Sequence, residues 1–244
     1  MAPILEGTDL TVRFGGLTAL EGMNFQLNEG EIVGLIGPNG AGKTTLFNVI
    51  SGVHRPKKGE TFFLGQRLSH LKPHRICRLG IVKTYQITRP FQSLTVMENI
   101  DVGFNFGSAR ESSVFPKLKS IGDFLEFTGL SEKAHKAVDS LTVADRKRLE
   151  ICRALATRPK VLLLDETMAG LNPREMTEAM ELVRSINTEL GITIFIIEHV
   201  MKAIMGLSHR ILVLNYGRLI AEGLPGEIAK SSLVIEAYLG KANH

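Results

Sequence analysis

Residues 37–45 of this chain read Gly37-Pro38-Asn39-Gly40-Ala41-Gly42-Lys43-Thr44-Thr45. The stretch fits the pattern G-x-x-x-x-G-K-[ST] at every fixed position, and this pattern is typical of a loop whose backbone N–H groups surround phosphates. The apolar residues 32–36 before it predict a buried strand, and residues 44–51 after it predict a helix. A strand, a phosphate loop and a helix in this order predict a site for a nucleoside triphosphate.

Individual residues of the loop have expected roles. The glycines let the backbone curl around the phosphates, and the helix N-terminus adds positive potential there. Lys43 is expected to reach the β- and γ-phosphate oxygens, and the Thr44 hydroxyl is expected to ligate Mg²⁺.

Two carboxylates follow a second apolar run. Residues 161–164 lead directly into Asp165 and Glu166, as expected where a buried strand reaches the carboxyl edge of a parallel sheet. Asp165 could hold Mg²⁺, usually through water, and Glu166 could orient or deprotonate the attacking water. Alone, such a pattern also occurs at ordinary strand ends, but together with the phosphate loop it predicts a catalytic site.

Two further polar residues lie at predicted strand exits. His199 follows residues 192–197 and Glu198, so it could donate a hydrogen bond to the γ-phosphate or to the attacking water. Gln86 follows the strand-like residues 81–85 and could touch Mg²⁺ or that water without adding charge. Taken singly, a histidine at a strand end is more often structural, and one glutamine carries little information.

Composition limits the class of protein. The chain has 244 residues, 44% of them hydrophobic, one phosphate loop and no evident repeat, so a single domain over residues 1–244 is expected. The longest apolar runs fall well short of the roughly 18 residues of a membrane helix. Residues 1–14 include Glu6, Asp9 and Arg13, so no secretory signal is predicted and a cytosolic location is expected.

Cysteines and charge point to no further chemistry. Cys77 and Cys152 are too few for a disulfide framework or a zinc site and are expected to be free thiols. A net charge of +4 with only 6% aromatic residues and no Trp favours a solvated basic face over a nucleic-acid site.

The chain divides into three regions. Residues 10–14 and 23–27 predict antiparallel strands, and the polar segment at about 88–158 predicts an inserted helical subdomain with helices at 118–127 and 132–138. From residue 161 strands and helices alternate: strands are predicted at 161–164 and 192–197, and helices at 174–189 and 200–207. A terminal helix is predicted at 228–239. Such alternation predicts an α/β fold with a mainly parallel sheet.

Taken together, these residues resemble the ATP-binding cassette (ABC) ATPases over residues 4–240. The phosphate loop looks like Walker A, Gln86 like the Q-loop glutamine, residues 162–166 like Walker B, 169–172 like the D-loop, and His199 like the switch histidine. Phe14 matches the aromatic that stacks on adenine, although taken alone it would be assigned to the core. The resemblance implies a P-loop NTPase (RecA-like) core with an N-terminal antiparallel β subdomain and an inserted α-helical subdomain.

Residues 14–20, 94–99, 148–151 and 236–240 are similar to the ATPase subunits of branched-chain amino-acid importers, with urea or amide importers as the alternative. This resemblance implies ATP and Mg²⁺ as cofactors and a second ATPase subunit, identical or different. It also implies permease subunits above the pair, and hence a place on the inner face of the cell membrane. Each ATP would lie between Walker A of one ATPase and the signature of the other.

The signature region reads Leu141-Thr142-Val143-Ala144-Asp145. It departs from the pattern Leu-Ser-Gly-Gly-Gln of the ABC superfamily and from Leu-Ser-Tyr-Gly plus a polar residue, which is frequent in the branched-chain group. Thr142 is expected to cap a helix together with Asp145, and both Thr142 and Ala144 are expected to face the partner's nucleotide. If Ala144 needs a positive φ, its Cβ costs on the order of 1 kcal/mol. The alternative function is therefore a nucleotide-gated subunit that mainly binds ATP in an asymmetric pair. Thr167, in the place of a usual proline, is expected to alter rates mildly.

Overall fold

The computed structural model describes residues 2–84, 90–106 and 118–239. Ten strands lie in these ranges: β1 (Leu5–Phe14), β2 (Leu17–Leu27), β3 (Ile32–Ile36), β4 (Lys58–Phe63), β5 (Gln66–Arg67), β6 (Ile81–Lys83), β7 (Val161–Asp165), β8 (Thr193–Ile197), β9 (Arg210–Asn215) and β10 (Arg218–Gly223). Nine α-helices accompany them: α1 (Lys43–Ile50), α2 (Pro73–Leu79), α3 (Val96–Phe106), α4 (Ile121–Phe127), α5 (Val143–Ala156), α6 (Pro173–Leu190), α7 (Met201–Leu207), α8 (Pro225–Ile228) and α9 (Ser232–Leu239).

The central sheet has six strands in the order β10-β9-β3-β8-β7-β6. All its neighbours pair in parallel except β10, which runs antiparallel to β9. Every residue of β3, β7 and β8 is buried, because apolar side chains of these strands pack on both faces. On β8, for example, Ile194 and Ile196 belong to one core cluster, and Phe195 and Ile197 belong to the other.

A second, antiparallel sheet has the order β2-β1-β4-β5. Its strands β1 and β2 contain the predicted residues 10–14 and 23–27, so these two predictions are confirmed, although both strands are longer than expected. The predicted strands at 32–36, 161–164 and 192–197 and the helices at 44–51, 174–189 and 200–207 are confirmed within one residue at each end. The hairpin of β9 and β10 was not predicted.

Two helix predictions are wrong. Residues 132–138 contain no α-helix but parts of two 3₁₀ turns, Ser131–Lys133 and Val138–Ser140. Carbonyls of this segment instead accept hydrogen bonds from the N-terminus of α3: Val96 N–H donates to Lys136 O and Met97 N–H to Ala134 O. The terminal helix at 228–239 is divided into α8 and α9, because Ser231 O accepts the first two bonds of a new helix, from Val234 and Ile235.

Helices α3, α4 and α5 lie in the region predicted to be an inserted subdomain, and they pack against one another. The division of residues 1–244 into one domain with an insertion at about 88–158 stays a prediction. Across the described ranges, no helix combines the length and the apolar character that spanning a bilayer would need.

Candidate functional site

The phosphate loop connects β3 to α1 at the carboxyl edge of the central sheet. Its first and third glycines leave no room for a side chain: a Cβ on Gly37 would lie 2.1 Å from Leu214 O, and one on Gly42 would lie 2.5 Å from Ala19 O. Both residues, and Gly40, have positive φ (151°, 106° and 78°), which glycine adopts without steric cost. Close packing as well as the turn therefore requires glycine at positions 37 and 42, whereas at position 40 only the turn does.

Lys43 is the first residue of α1, and its ammonium lies inside the loop. It donates hydrogen bonds to Gly37 O at 2.7 Å and to Pro38 O at 3.0 Å. Burial lowers the pKa of Lys43, while the carboxylates of Glu166 and Asp165 act in the opposite direction. The cation is therefore oriented by two carbonyls of the loop itself.

A cavity of about 520 Å³ opens over the loop. Its walls include Phe14, Lys43, Glu166 and His199, so the structure brings together residues that the sequence places in distant motifs. The side chain of Phe14 is 45% exposed and meets His54 edge to face, with ring centroids 5.1 Å apart. Phe14 is thus a wall of the cavity and not a core residue.

The cavity also contains residues that carried no individual signal in the sequence. The lining shared by β1, β2, the loop and two strand exits is Phe14, Leu17, Thr18, Ala19, Asn39, Gly40, Ala41, Gly42, Lys43, Thr44, Thr45, Glu166 and His199. Leu17, Thr18 and Ala19 enter it because β2 begins beside the loop. Their only signal was the similarity of residues 14–20 to a family.

Glu166 and His199 lie side by side at the exits of β7 and β8. His199 Nε2 is 2.9 Å from Glu166 Oε1. The Glu166 backbone is held by its N–H, which donates to Ile197 O, and by its carbonyl, which accepts from Lys147 Nζ at 3.2 Å. Glu166 has a positive φ of 52°, a strained conformation for a residue with a Cβ that aims its side chain at the cavity.

Asp165 is buried at the end of β7 beside a lysine that the sequence did not single out. Its Oδ2 lies 3.2 Å from Lys83 Nζ, which also donates to Asn48 Oδ1 on α1. Burial raises the pKa of Asp165, and Lys83 opposes that rise. The only signal for Lys83 was its place near the end of β6.

The donor set around Asp165 fits a divalent cation. Among the described residues, no group hydrogen-bonds the buried Oδ1 of Asp165, and Thr44 lines the cavity over the phosphate loop together with Glu166, the neighbour of Asp165. Carboxylate and hydroxyl oxygens are ligands that Mg²⁺ accepts. Gln86, the third predicted ligand, lies outside the described residues.

The signature region forms a closed set of contacts at the start of α5. Thr142 is the N-cap, since its Oγ1 accepts from Asp145 N–H at 3.2 Å and donates to Asp145 Oδ2 at 2.8 Å. Lys133 Nζ holds the other carboxylate oxygen at 2.6 Å. Ala144 lies within α5 and does not have a positive φ. The condition for backbone strain at Ala144, a positive φ, is therefore not met, and a helical residue carries a Cβ without that cost.

A buried carboxylate that sequence reasoning missed fixes the segment after Glu166. Glu198, beside His199, is only 2% exposed, and its Oε1 accepts from Met168 N–H at 2.7 Å. Burial raises the pKa of Glu198, against the hydrogen bond from Met168 and the nearby Lys147. Glu198 thereby ties the exit of β8 to the loop that follows β7.

Two family models match this chain. One is described as ABC transporter and matches residues 20–169. The other is described as branched-chain amino acid ATP-binding cassette transporter and matches residues 218–244.

Individual relatives agree with these models over nearly the whole length. The chain is 41% identical to the high-affinity branched-chain amino acid transport ATP-binding protein LivG of Escherichia coli K12, across 98% of this chain and 99% of the relative. It is 39% identical to BraF of Pseudomonas aeruginosa over the same shares. A solved nucleotide-free ATP-binding cassette from an ABC transporter is similar with a TM-score of 0.87 and 31% identity, covering 98% of this chain and 100% of that one.

Proposed function

This chain is an ATP-binding ATPase subunit of the ABC transporter family, and we propose that it powers the import of branched-chain amino acids. Relatives similar over their whole length carry that role in their names, and the model matched by residues 218–244 carries it too. Urea or amide import is the alternative substrate class. The observation that carries the proposed activity is the meeting of Glu166 and His199 with the phosphate loop in one cavity.

Binding of ATP follows from the walls of that cavity. Phe14 offers an exposed ring face to adenine, which stacks on aromatic rings. The N–H groups at the start of α1 and the Lys43 ammonium offer positive charge to the phosphates. Mg²⁺, held by Thr44, Asp165 and Gln86, would neutralise charge on the phosphate oxygens.

The hydrolytic step is assigned to Glu166 with His199. The oxygen of a water attacks the γ-phosphorus, and the proton of that water passes to the Glu166 carboxylate. The bond from the γ-phosphorus to the bridging oxygen breaks, and ADP keeps the electron pair. His199, 2.9 Å from Glu166, orients the carboxylate and is able to hydrogen-bond the γ-phosphate.

The site also needs a partner. We assign Thr142 and Ala144 to the nucleotide of a second ATPase subunit, whether a copy of this chain or a different one. Permease subunits would couple the closing of the pair to transport, which places this chain on the inner face of the membrane. Nucleic acid has no role in this proposal.

Glu166→Gln tests the assignment, with the partner ATPase and the permease present. Glutamine keeps the size of the side chain but accepts no proton, so we expect turnover to fall by at least about 100-fold while ATP still binds. Glu29→Gln, an exposed glutamate on the loop before β3, is the matched control and should hydrolyse ATP normally. Undiminished hydrolysis by Glu166→Gln would remove Glu166 from the role of base.

A further inference from the structure

The C-terminal helix reaches back to the phosphate loop. The Gly37 N–H donates a hydrogen bond of 2.8 Å to the Tyr238 hydroxyl, across 201 positions of the chain. Tyr238 lies on α9, within the segment that matches the branched-chain cassette model. None of the residues assigned above to ATP binding or hydrolysis comes from this helix.

Gly37 is the point at which the loop leaves β3, and it is held tightly. The residue is buried, and a Cβ there would lie 2.1 Å from Leu214 O. Its carbonyl accepts from Lys43 Nζ, and its N–H donates to Tyr238. Two side chains, one from α1 and one from α9, therefore fix one glycine of the loop.

These two contacts respond differently to ATP. Lys43 is the cation that phosphates attract, so a bound triphosphate competes with Gly37 O for its ammonium. The phenol of Tyr238 is neutral and is not among the described residues that line the cavity, so a bound triphosphate is not expected to compete for its bond to Gly37. Tyr238 is 44% exposed, and its partial burial raises the pKa of its hydroxyl. A phenol is uncharged at neutral pH even at its ordinary pKa of about 10.

We propose that Tyr238 is a positioning residue for ATP binding, which keeps the start of the phosphate loop in place when Lys43 turns to the nucleotide. The packing of α9 supports this role. Of its described side chains only Val234 is buried, whereas Leu233, Ile235 and Leu239 are exposed by 49%, 45% and 82%. Because α9 contributes little to the core, its polar contact with the loop adds to the few links that hold it, which include its packing on β10.

Tyr238→Phe tests this role, because it removes one oxygen and keeps the ring. Because this bond also exists without nucleotide, the Kd for a non-hydrolysable ATP analogue changes only by the part of its roughly 0.5–1.5 kcal/mol that the bound state alone loses. We expect that Kd to rise by at least about 2-fold and by no more than about 10-fold. In the assembled transporter the KM for ATP should rise by a similar factor, and kcat at saturating ATP should stay within about 2-fold. Tyr216→Phe makes the same change on a phenol that is 84% exposed and should alter neither value.

Calorimetric titration of the purified chain measures the Kd, and its thermal midpoint without nucleotide checks the fold. An unchanged Kd for Tyr238→Phe would overturn the proposal and leave Tyr238 as an anchor of α9 only. The proposal depends on ATP binding but not on the transported substrate. A wild-type chain that binds the analogue but supports no branched-chain amino-acid import would contradict the proposed function and leave this inference standing.

Discussion

At the scale of single residues, the signature region departs most from what its family pattern implies. Thr142, Asp145 and Lys133 satisfy one another through a helix cap and a short ion pair. Burial alone would raise the pKa of Asp145, but the hydrogen bonds from Lys133 and Thr142 outweigh it and lower that pKa. Thr142, which we propose faces a partner's nucleotide, is therefore already engaged within this chain.

The double variant Thr142→Ser with Ala144→Gly tests whether this region limits turnover. If the Ala144 Cβ and the Thr142 methyl hinder the partner's nucleotide, hydrolysis by the assembled pair should rise by about 3-fold or more. Glycine in the first turn of α5 should also lower the free energy of unfolding by about 0.5–1 kcal/mol. Ala179→Gly, on α6, should lower stability with no gain in turnover. An unchanged rate in the double variant would mean that the departures are silent and would leave the asymmetric-pair alternative without support.

At the scale of elements, helix ends determine where the functional loops stop. α6 begins at a reciprocal capping box: the Asn172 side chain accepts from the N–H of Glu175, and the Glu175 carboxylate accepts from Asn172 N–H, each at 3.0 Å. Pro173 occupies the first helical position, where its missing N–H has no consequence. The segment between Glu166 and α6 is therefore fixed at its far end by local chemistry.

Asn172→Ala removes the cap and should lower the free energy of unfolding by about 1 kcal/mol. Asn172→Asp keeps an acceptor at the helix N-terminus and should stay within about 0.5 kcal/mol of wild type. Urea unfolding followed by circular dichroism measures both values. Equal losses in the two variants would show that the amide acts through some contact other than the cap.

At the scale of the whole molecule, Arg210 joins the two sheets. From β9 it donates to Gln26 O on β2 at 2.6 Å, to both oxygens of Glu31, and to Glu222 on β10 at 2.5 Å. The side chain of Arg210 is only 16% exposed, and that of Glu31 is 14% exposed. A guanidinium satisfies acceptors from several strands at once because its donors are fixed in one plane.

Arg210→Met should lower the free energy of unfolding by about 2 kcal/mol at pH 7, since it leaves Glu31 partly buried without its partner. Arg218 provides a matched control: it also joins β10 to β2, through Glu21 at 3.0 Å, but its side chain is 64% exposed. Arg218→Met should cost less than about 0.5 kcal/mol. Equal losses of unfolding free energy in the two variants would show that burial does not strengthen the contribution of Arg210 to stability.

The same variant has an expected pH dependence. Burial alone would raise the pKa of Glu31, but hydrogen bonds from Arg210 and Asn28 reverse this and lower it. A carboxyl whose folded pKa is lowered stabilises the fold above its unfolded pKa of about 4.3, and that stabilisation is lost as the pH falls through the folded pKa. The stability difference between wild type and Arg210→Met should thus be largest near neutral pH and shrink below about pH 4.

Local patterns in the sequence were sufficient for most elements and motifs. Glycine spacing indicated the phosphate loop, and apolar runs ending in polar residues indicated the exits that carry Asp165, Glu166 and His199. The helix predicted at 132–138 is wrong because α3, a distant element, occupies the carbonyls of that segment. Nothing within those residues could indicate this competition.

The sequence by itself determined the phosphate loop, the buried strands and the family, because these depend on φ/ψ preferences and side-chain spacing over a few residues. Only the tertiary structure decided which distant groups meet: Lys83 with Asp165, Arg210 with both sheets, and Tyr238 with Gly37. Contacts of this kind depend on strand order and helix placement. Local periodicity does not encode them, because a lysine or tyrosine has the same local pattern whether it faces solvent or the phosphate loop.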